Sequence, residues 1–373
     1  MITKTYKALN LLLITCFFIG ITTSVYAKPN ANGFQEMGER VQGLHLIPHL
    51  ASSENYVEKY TFDADLTDSN GARGRLYFSI SINNIGAGDH KLHAKGTLSI
   101  GEETFKWNSK KSSDQWQSDK NSLNIKAGGV TLSGDAEQLL FIVKSRTQSF
   151  EINFTPQVQP WRPKNGGVTF SKSNKAEFDL FPMAELKGAW LTSEGKTIAV
   201  KGRGWGRHSW SHLGPHEWSK SSQLIRIFDP EKQQSTFIRR IHVAGDYKPK
   251  VISYVIVTSG KDKIFEGYDI VLNEEATFTD KKHSNHYAFP TRFTIQAKDQ
   301  SNGAELTLKL NTKKRLYRRN PIAKLSWVKR KIVEMVTKPM EYAYYFDYNL
   351  AIKGSKPFSM TGEQGRYEVF HLN

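Results

Sequence analysis

Apolar and polar residues alternate along most of the chain. The alternation is clear in the segments 76–82, 150–154 and 306–310. A period of two is the pattern of a half-buried β-strand. Such segments are separated by short runs rich in Asp, Asn, Gly, Ser or Pro, which is typical of hairpin turns. Four of these runs are 68–71, 229–232, 259–262 and 299–303. Many strands at regular spacing predict an all-β fold of the sandwich or barrel type.

One segment, 321–338, departs from this pattern. It begins with Pro321, ends before Pro339, and carries apolar residues at helical spacing. It is also rich in Lys and Arg, so it predicts a short basic amphipathic helix. Such a helix can lie in a membrane interface. The alternative is a helix that covers one end of a barrel, with its basic side in solvent. The residues predicted to contact a membrane are Lys324, Trp327, Lys329, Arg330 and Lys331.

The N-terminus predicts a secretory signal peptide, residues 1–27. Lys4 and Lys7 precede an almost wholly apolar stretch, 8–21, and Ala27 supplies a small residue at the cleavage site. A lipoprotein signal through Cys16 is the alternative. Residues 28–53 mix Pro, Asn, Gly and His. This composition predicts an N-terminal leader segment that packs on the outside of the fold. The expected location is periplasmic or secreted.

Cysteine usage and charge limit the possible functions. Cys16 is the single cysteine, so a chain cleaved after Ala27 has neither disulfides nor thiolate chemistry. Without the two lysines of the signal peptide, 50 basic residues face 36 acidic ones. A basic surface suits nucleic acid, anionic lipid or acidic glycans. Export makes nucleic acid the least expected partner, whereas peripheral contact with an anionic membrane is a natural expectation.

The richest stretch in candidate chemistry is 200–228. Three of the eight Trp and three of the eleven His fall within fourteen residues, interleaved with Gly. Indole rings need to be covered, and closely spaced Gly lets other chains approach. This stretch therefore predicts a concave, aromatic ligand site. Its candidate ligand-binding residues are Trp205, Arg207, His208, Trp210, His212, His216, Trp218 and Arg226.

Metal binding and catalysis have weaker support in the sequence. His208, His212 and His216 are four residues apart, but the Gly and Pro among them oppose the helix that would align them. No metal and no cofactor are predicted. The candidate catalytic groups are His208, Glu217 and Glu368. For Glu368 the alternative is structural pairing with an arginine, because an unpaired carboxylate is costly to bury; the expected partners are Arg226, Arg239 or Arg240.

Two motifs carry a resemblance to a known family. The first is Gly-x-Gly-Trp-x-x-His-x-Trp at 202–210, and the second is Gly-Glu-Gln-Gly-Arg-Tyr-Glu at 362–368. The chain resembles the double-lipocalin, calycin-like proteins that include AttH-like proteins, carotenoid 1,2-hydratases of the CrtC type and the survival-factor family. The resemblance implies two lipocalin-like antiparallel β-barrels side by side, here 54–190 and 191–373, with the first motif opening the second barrel.

The resemblance also implies an acid that this chain lacks. Members of the family usually place Asp directly before the motif His, where it could protonate a carotenoid double bond. Here that position is Arg207, and a guanidinium cannot act as a general acid near neutral pH. Arg207 could instead hold a carboxylate or phosphate. Olefin hydration by the family's route is therefore not expected.

These observations predict an exported carrier of a hydrophobic ligand, a lipid or isoprenoid, held in a barrel cavity lined by the 202–218 motif. The first alternative is an enzyme, a hydratase, cyclase or isomerase, acting on an isoprenoid or polyketide-like substrate. The second is an envelope scaffold or glycan-binding module. The sequence does not predict the ligand's identity or the oligomeric state.

Overall fold

The computed structural model describes residues 37–84, 89–170, 174–245, 247 and 250–372. The predicted signal peptide, 1–27, and the first part of the predicted leader, 28–36, lie outside the described residues. Within the described ranges, no helix combines the length and the apolar character needed to cross a bilayer.

Residues 39–211 build a curled sheet. It contains 14 strands, and the two longest, β13 and β14, run side by side at its centre. The strands are β1 Glu39–Arg40, β2 Val57–Asp68, β3 Arg73–Asn84, β4 His90–Ile100, β5 Glu103–Lys111, β6 Gln117–Ser118, β7 Leu123–Ala127, β8 Val130–Gly134, β9 Leu139–Lys144, β10 Ser149–Pro156, β11 Trp161–Arg162, β12 Gly167–Thr169, β13 Lys175–Leu191 and β14 Thr197–Ser211.

Residues 219–371 form a closed barrel of eight strands in sequence order, in which the last strand pairs with the first. A short helix, α1, leads into the barrel, and a longer one, α2, interrupts it before the last two strands. The elements are α1 Pro215–Trp218, β15 Ser219–Asp229, β16 Gln234–Val243, β17 Val251–Ser259, β18 Asp262–Thr279, β19 Ala288–Asp299, β20 Glu305–Arg319, α2 Trp327–Val336, β21 Met340–Lys353 and β22 Phe358–His371.

The predicted all-β class with two β units and a short helix is confirmed. The four predicted turns join β2 to β3, β15 to β16, β17 to β18 and β19 to β20. Only the second unit is a closed barrel, whereas the first is an open, curled sheet. The predicted boundary at 190/191 falls at the end of β13, which pairs with β14 in the first sheet. The chain enters the barrel at Ser219, after β14.

Each unit has its own core of tightly packed side chains. In the curled sheet the rings of Phe62 and Phe141 lie 4.7 Å apart. In the barrel the ring of Phe289 packs 4.8 Å from that of Tyr342. Each such buried side chain contributes about 1.5–3 kcal/mol to folding. The two interiors are therefore filled by the chain's own residues.

A third apolar cluster joins the two units. Trp205 of β14 packs on Phe237 of β16, with ring centroids 5.5 Å apart. Trp161 similarly packs 5.0 Å from Tyr254. The barrel therefore rests against the outer face of β13 and β14, and the surfaces beside this contact form a cleft.

The predicted helix at 321–338 is present over 327–336. Its large apolar side chains are exposed, including Trp327 and Met335. The apolar stripe of the helix therefore does not pack on the barrel, as it would if the helix covered a barrel end with only its basic side in solvent.

Candidate functional site

Strand β14 sends alternate side chains to two different places, because successive residues of a strand point to opposite faces. Trp205 and Arg207 face the barrel and line the cleft between the units. His208 lies on the other face and is fully buried in the curled sheet. The motif at 202–218 therefore contributes to two sites instead of lining one cavity.

The larger site is a cavity of about 690 Å³ between the curled sheet and the barrel. The sheet contributes residues from β2 to β5 and β14, and the barrel contributes β15, β20 and β22. Eight basic side chains and two acidic ones line it. The basic residues are Lys59, Arg75, Lys95, Lys106, Arg207, Arg226, Arg319 and Arg366, and the acids are Asp63 and Glu368.

A smaller cavity of about 350 Å³ adjoins the first and is more apolar. The two cavities share Lys59, Arg207, Tyr317, Arg319 and Glu368. The cleft therefore combines a basic end with an apolar, aromatic end. The apolar lining includes Val57, Phe178, Trp210, Trp218, Leu224, Tyr342, Val369, Phe370 and Leu372.

Both acids of the larger cavity are already paired with arginine. Arg75 donates two hydrogen bonds to Asp63, at 2.8 and 2.7 Å. Glu368 accepts from Arg226 at 2.5 Å and lies 2.8 Å from Arg366. Burial alone would raise the pKa of Glu368, but the neighbouring Arg226 and Arg366 lower it to about 2. Glu368 is therefore an ionised, structural carboxylate, and its predicted pairing with Arg226 is confirmed.

The remaining cations of the cleft repel one another. Among the residues that the structure describes, neither Lys59 nor Arg207 forms an ion pair. Burial, together with the charges of Arg207 and Lys95, lowers the pKa of Lys59 to about 8. Burial and the charge of Arg207 likewise lower the pKa of Arg239 to about 10. An anion bound here would relieve this repulsion.

The second site is a buried cluster around His208. Its Nδ1–H donates to Asp179 Oδ2 and its Nε2–H to Glu58 Oε1, each at 2.7 Å. Tyr60 stacks on the imidazole at 4.3 Å and also donates to Glu58 at 2.9 Å. Tyr56 donates a further hydrogen bond to Glu58. Tyr56 directly precedes β2, and the other residues come from β2, β13 and β14, so the cluster ties the central strands of the sheet together.

Hydrogen bonds within this cluster fix the protonation states of its histidine and its carboxylates. Burial would lower the pKa of His208, but its hydrogen bonds to Asp179 and Glu58 raise it to about 9. Burial would raise the pKa of Glu58, but hydrogen bonds from His208 and His49 lower it to about 2. His208 is thus an imidazolium held between two carboxylates without exposure to solvent. A group so placed cannot reach a ligand in the cleft.

Three residues of the same cluster could together hold a metal ion. Ligand atoms of His49, Glu58 and His208 lie within 4.8 Å of one another, and two His with a carboxylate form a donor set that suits Zn²⁺. In the structure, however, His208 Nε2 is hydrogen-bonded directly to Glu58. A metal would have to replace that proton. His212 and His216 are not part of this group.

The other predicted residues have separate positions. His212 accepts from the backbone N–H of Lys175 at 3.3 Å and packs edge-on against Trp210. His216 lies in α1. Glu217 accepts from the backbone N–H of Gly214 at 2.5 Å, so its carboxylate caps that helix. Arg226 lines the larger cavity and stacks on Trp205, with 4.2 Å between guanidinium carbon and ring centroid.

Glu58, Asp179 and His49 were not among the residues predicted from the sequence. One signal was present: Glu58 lies between Tyr56 and Tyr60 at the positions that alternation assigns to the buried face of β2. A carboxylate at such a position needs a buried partner. Which partner it would be could not be read from the pattern.

Comparisons with known proteins reveal a shared fold. No protein-family description matches the sequence, and no curated protein matches it. Among solved structures, CghA with Sch210972 is similar over 93% of this chain and 97% of CghA, with 9% identity and a TM-score of 0.58. An AttH-like protein from Nitrosomonas europaea is similar over 85% of this chain and 92% of its own, with 10% identity and a TM-score of 0.50.

Kievitone hydratase from Nectria haematococca is also similar, at 10% identity over 92% of this chain and 98% of its own, with a TM-score of 0.48. The likeness to CghA and to the AttH-like protein confirms the lipocalin-like fold that the two sequence motifs indicated. At this level of identity it extends to the fold alone.

Proposed function

We propose that this protein binds an amphiphilic anion in the cleft between its two β units. The ligand class is a lipid or isoprenoid that carries a carboxylate or phosphate. The observation that carries the proposal is the lining of the larger cavity, with eight basic side chains and two acids that are already paired. Unpaired Arg and Lys in a partly dry cleft favour an anionic partner.

The adjoining apolar cavity supports the proposal that the ligand has a hydrocarbon part. Phe178, Trp210 and Trp218 line it beside the shared basic residues. A ligand with an anionic head in the larger cavity could place its hydrocarbon part there, where burial of apolar surface is favourable. The hydrophobic ligand expected from the sequence is retained in this proposal, but its place moves from a barrel interior to the cleft.

The three predicted acid–base groups favour binding over catalysis. His208 is sealed between two carboxylates, Glu217 caps α1, and Glu368 is ionised between two arginines. One observation favours an enzyme as a second candidate. Lys59 lines both cavities and has a pKa lowered to about 8, which suits proton transfer near neutral pH. A hydratase, cyclase or isomerase would use it on a bound ligand.

The test compares ligands that differ only in charge. Native mass spectrometry of protein purified without detergent would first identify any co-purified ligand. Binding of a long-chain fatty acid and of geranylgeranyl phosphate would then be compared with binding of the corresponding neutral alcohols. We expect the anions to bind at least about tenfold more tightly, because each desolvated charge pair adds about 2 kcal/mol or more.

Two variants make the test specific. Arg207→Gln should reduce the preference for the anion, whereas Arg146→Gln, in an exposed turn outside the cleft, should leave it unchanged. Equal affinity for anion and alcohol would contradict the proposal, as would the absence of binding to both. Conversion of the bound ligand by the wild type, lost in Lys59→Gln with binding retained, would establish the enzyme instead.

A further inference from the structure

Helix α2 exposes its large apolar side chains. The exposed fraction is 66% for Trp327, 54% for Ile332, 69% for Met335 and 59% for Val336. No residue of the helix is buried. An ordinary surface helix turns its apolar stripe toward the core and its charges toward solvent. Here the apolar stripe has no cover from the described part of the chain.

Four of the exposed apolar residues form one continuous stripe, whereas Trp327, the first residue of the helix, points about 130° away from its centre. At about 100° per residue, Val328, Ile332, Met335 and Val336 fall within an arc of roughly 100°. Two further positions on the wheel, Lys329 and Lys331, flank this arc on its two sides, and both are exposed. The half-buried residues Arg330, Val333 and Glu334 lie on the opposite side, toward the protein.

The surroundings of the stripe are strongly basic. Residues 313–338 contain ten Lys or Arg and one acid, Glu334; three of the ten, Lys313, Arg318 and Arg319, pair with acids of other segments. Glu334 is itself paired, at 3.8 Å with Arg330 and 3.1 Å with Lys331. An apolar stripe between cations matches a surface that is apolar below and anionic above. A phospholipid bilayer with anionic headgroups has this arrangement.

We propose that α2 docks this protein on the surface of an anionic phospholipid bilayer. The stripe of Val328, Ile332, Met335 and Val336 enters the boundary between headgroups and acyl chains. Lys329 and Lys331 extend their alkyl stems along the same boundary and bring their ammonium groups to the lipid phosphates. Trp327, at the start of the helix, is exposed but lies outside this stripe.

Docking at α2 would place the cleft close to the bilayer. The helix begins eight residues after Arg319, which lines both cavities. Thr337, directly after the helix, donates a hydrogen bond to the carbonyl of Leu372, which lines the apolar cavity. A lipid could then pass between bilayer and cleft over a short path. This last step rests on the proposed function, whereas the docking itself does not.

The test is cosedimentation of the full protein with vesicles of phosphatidylcholine alone and of phosphatidylcholine mixed with phosphatidylglycerol. We expect binding to the mixed vesicles that weakens with added salt, and little binding to the neutral ones. Ile332→Ser with Met335→Ser should weaken it at least about tenfold. Lys329→Gln with Lys331→Gln should weaken it on the order of 30-fold, since each cation adds about 1 kcal/mol.

Matched controls separate α2 from other effects. Val271→Ser alters an apolar side chain of similar exposure on β18, and Lys110→Gln with Lys126→Gln removes two exposed lysines of the curled sheet. Neither should change vesicle binding. All variants keep the same N-terminus, so any binding by the apolar segment 8–21 is common to them. Unchanged binding in both α2 variants would overturn the proposal.

Two further measurements test whether α2 enters the bilayer and whether a second copy of the protein covers the stripe instead. Quenching of Trp fluorescence by brominated lipids should be stronger in Met335→Trp, which puts an indole into the stripe, than in the wild type, and no increase would place α2 outside the bilayer. Analytical ultracentrifugation would detect a second copy as the occupant of the stripe. A dimer that dissociates in the Ile332→Ser, Met335→Ser variant, without vesicle binding by the wild type, would overturn the proposal. Loss of vesicle binding with cleft binding intact leaves the proposed function unaffected.

Discussion

Arg207 and His208 are adjacent in the chain, but their side chains leave opposite faces of β14 and meet opposite environments. Arg207 faces the cleft and lines both of its cavities. His208 faces the interior of the curled sheet, where Asp179 and Glu58 each accept a hydrogen bond at 2.7 Å. Since a strand alternates its faces, one short motif can supply both a binding group and a structural group. This separation makes the two residues distinguishable by experiment.

His208→Ala should strongly destabilise the fold. Removal of the imidazolium leaves the buried carboxylates of Asp179 and Glu58 without their shared partner. Breaking a buried ion pair in this way costs about 3–5 kcal/mol. The free energy of unfolding, measured in urea, should fall by that amount. His212→Ala is the control, because His212 is only half-buried, and it should cost less than about 1 kcal/mol. Equal losses in the two variants would contradict the structural role of His208.

The same cluster predicts how stability depends on pH. The folded-state pKa of His208 is about 9, above its unfolded value of 6.5. Its contribution is therefore fully present below pH 6.5 and is lost as the pH rises through 9. Glu58 has the opposite sign, because its folded pKa of about 2 lies below the unfolded 4.5. Its contribution is present above pH 4.5 and is lost as the pH falls toward 2.

The measurement is the free energy of unfolding of wild type and His208→Gln across this pH range. The advantage of the wild type should decrease by about 3 kcal/mol between pH 6.5 and 9, because folding raises the pKa of His208 from 6.5 to about 9. A difference that stays constant over that interval would show that His208 is not held as an imidazolium.

Arg207→Gln should make the fold more stable while it weakens ligand binding. The guanidinium forms no ion pair among the described residues. Its charge lowers the pKa of three cations, Lys59, Arg226 and Arg239, against one carboxylate that it stabilises, Glu368. Its removal relieves repulsion, which we expect to raise the free energy of unfolding by about 1 kcal/mol. Affinity for an anionic amphiphile should fall at least about tenfold. Thermal unfolding and ligand titration of one preparation measure both; a loss of stability would contradict the expected repulsion.

Sequence reasoning predicted the local features and missed the long-range ones. Alternation over 76–82 and the Asp68–Gly71 turn identify β2 and β3 because strand and hairpin preferences act between neighbours. Glu58 and His208, in contrast, are 150 residues apart. Their contact depends on the pairing of β2 with β14, which no local preference specifies. The same pairing places β14 in the first sheet, although it follows the predicted boundary at 190/191 in the chain.

The site was only partly predictable for a related reason. A cluster of Trp and His predicts that the indole rings are buried by other parts of the protein or by a ligand. Trp205 and Trp218 are indeed buried. The alternation of β14 then divides the cluster between two faces, which composition cannot reveal. The basic lining of the cleft was invisible in the sequence because its eight Lys and Arg come from eight different strands. The strands β2, β3, β4, β5, β14, β15, β20 and β22 contribute one residue each.

Lys59 should make anion binding depend on pH. Its pKa is about 8, lowered from 10.5 by burial and by the charges of Arg207 and Lys95. Protonated Lys59 attracts an anion and neutral Lys59 does not, so affinity should fall as the pH rises through 8. The drop should be up to about tenfold, the effect of one charge interaction of about 1.4 kcal/mol. The ligand should be an alkyl sulfonate, which remains ionised throughout this range.

Two substitutions at the same position test whether Lys59 is the titrating group. Lys59→Gln should bind the sulfonate weakly and with little change between pH 7 and 9, because no titrating ammonium remains. Lys59→Arg should bind it tightly over the whole interval, because a guanidinium stays protonated there. A pH dependence that persists in Lys59→Gln would assign the titration to another group of the cleft. A ligand that binds equally well to all three proteins would place the anion away from Lys59.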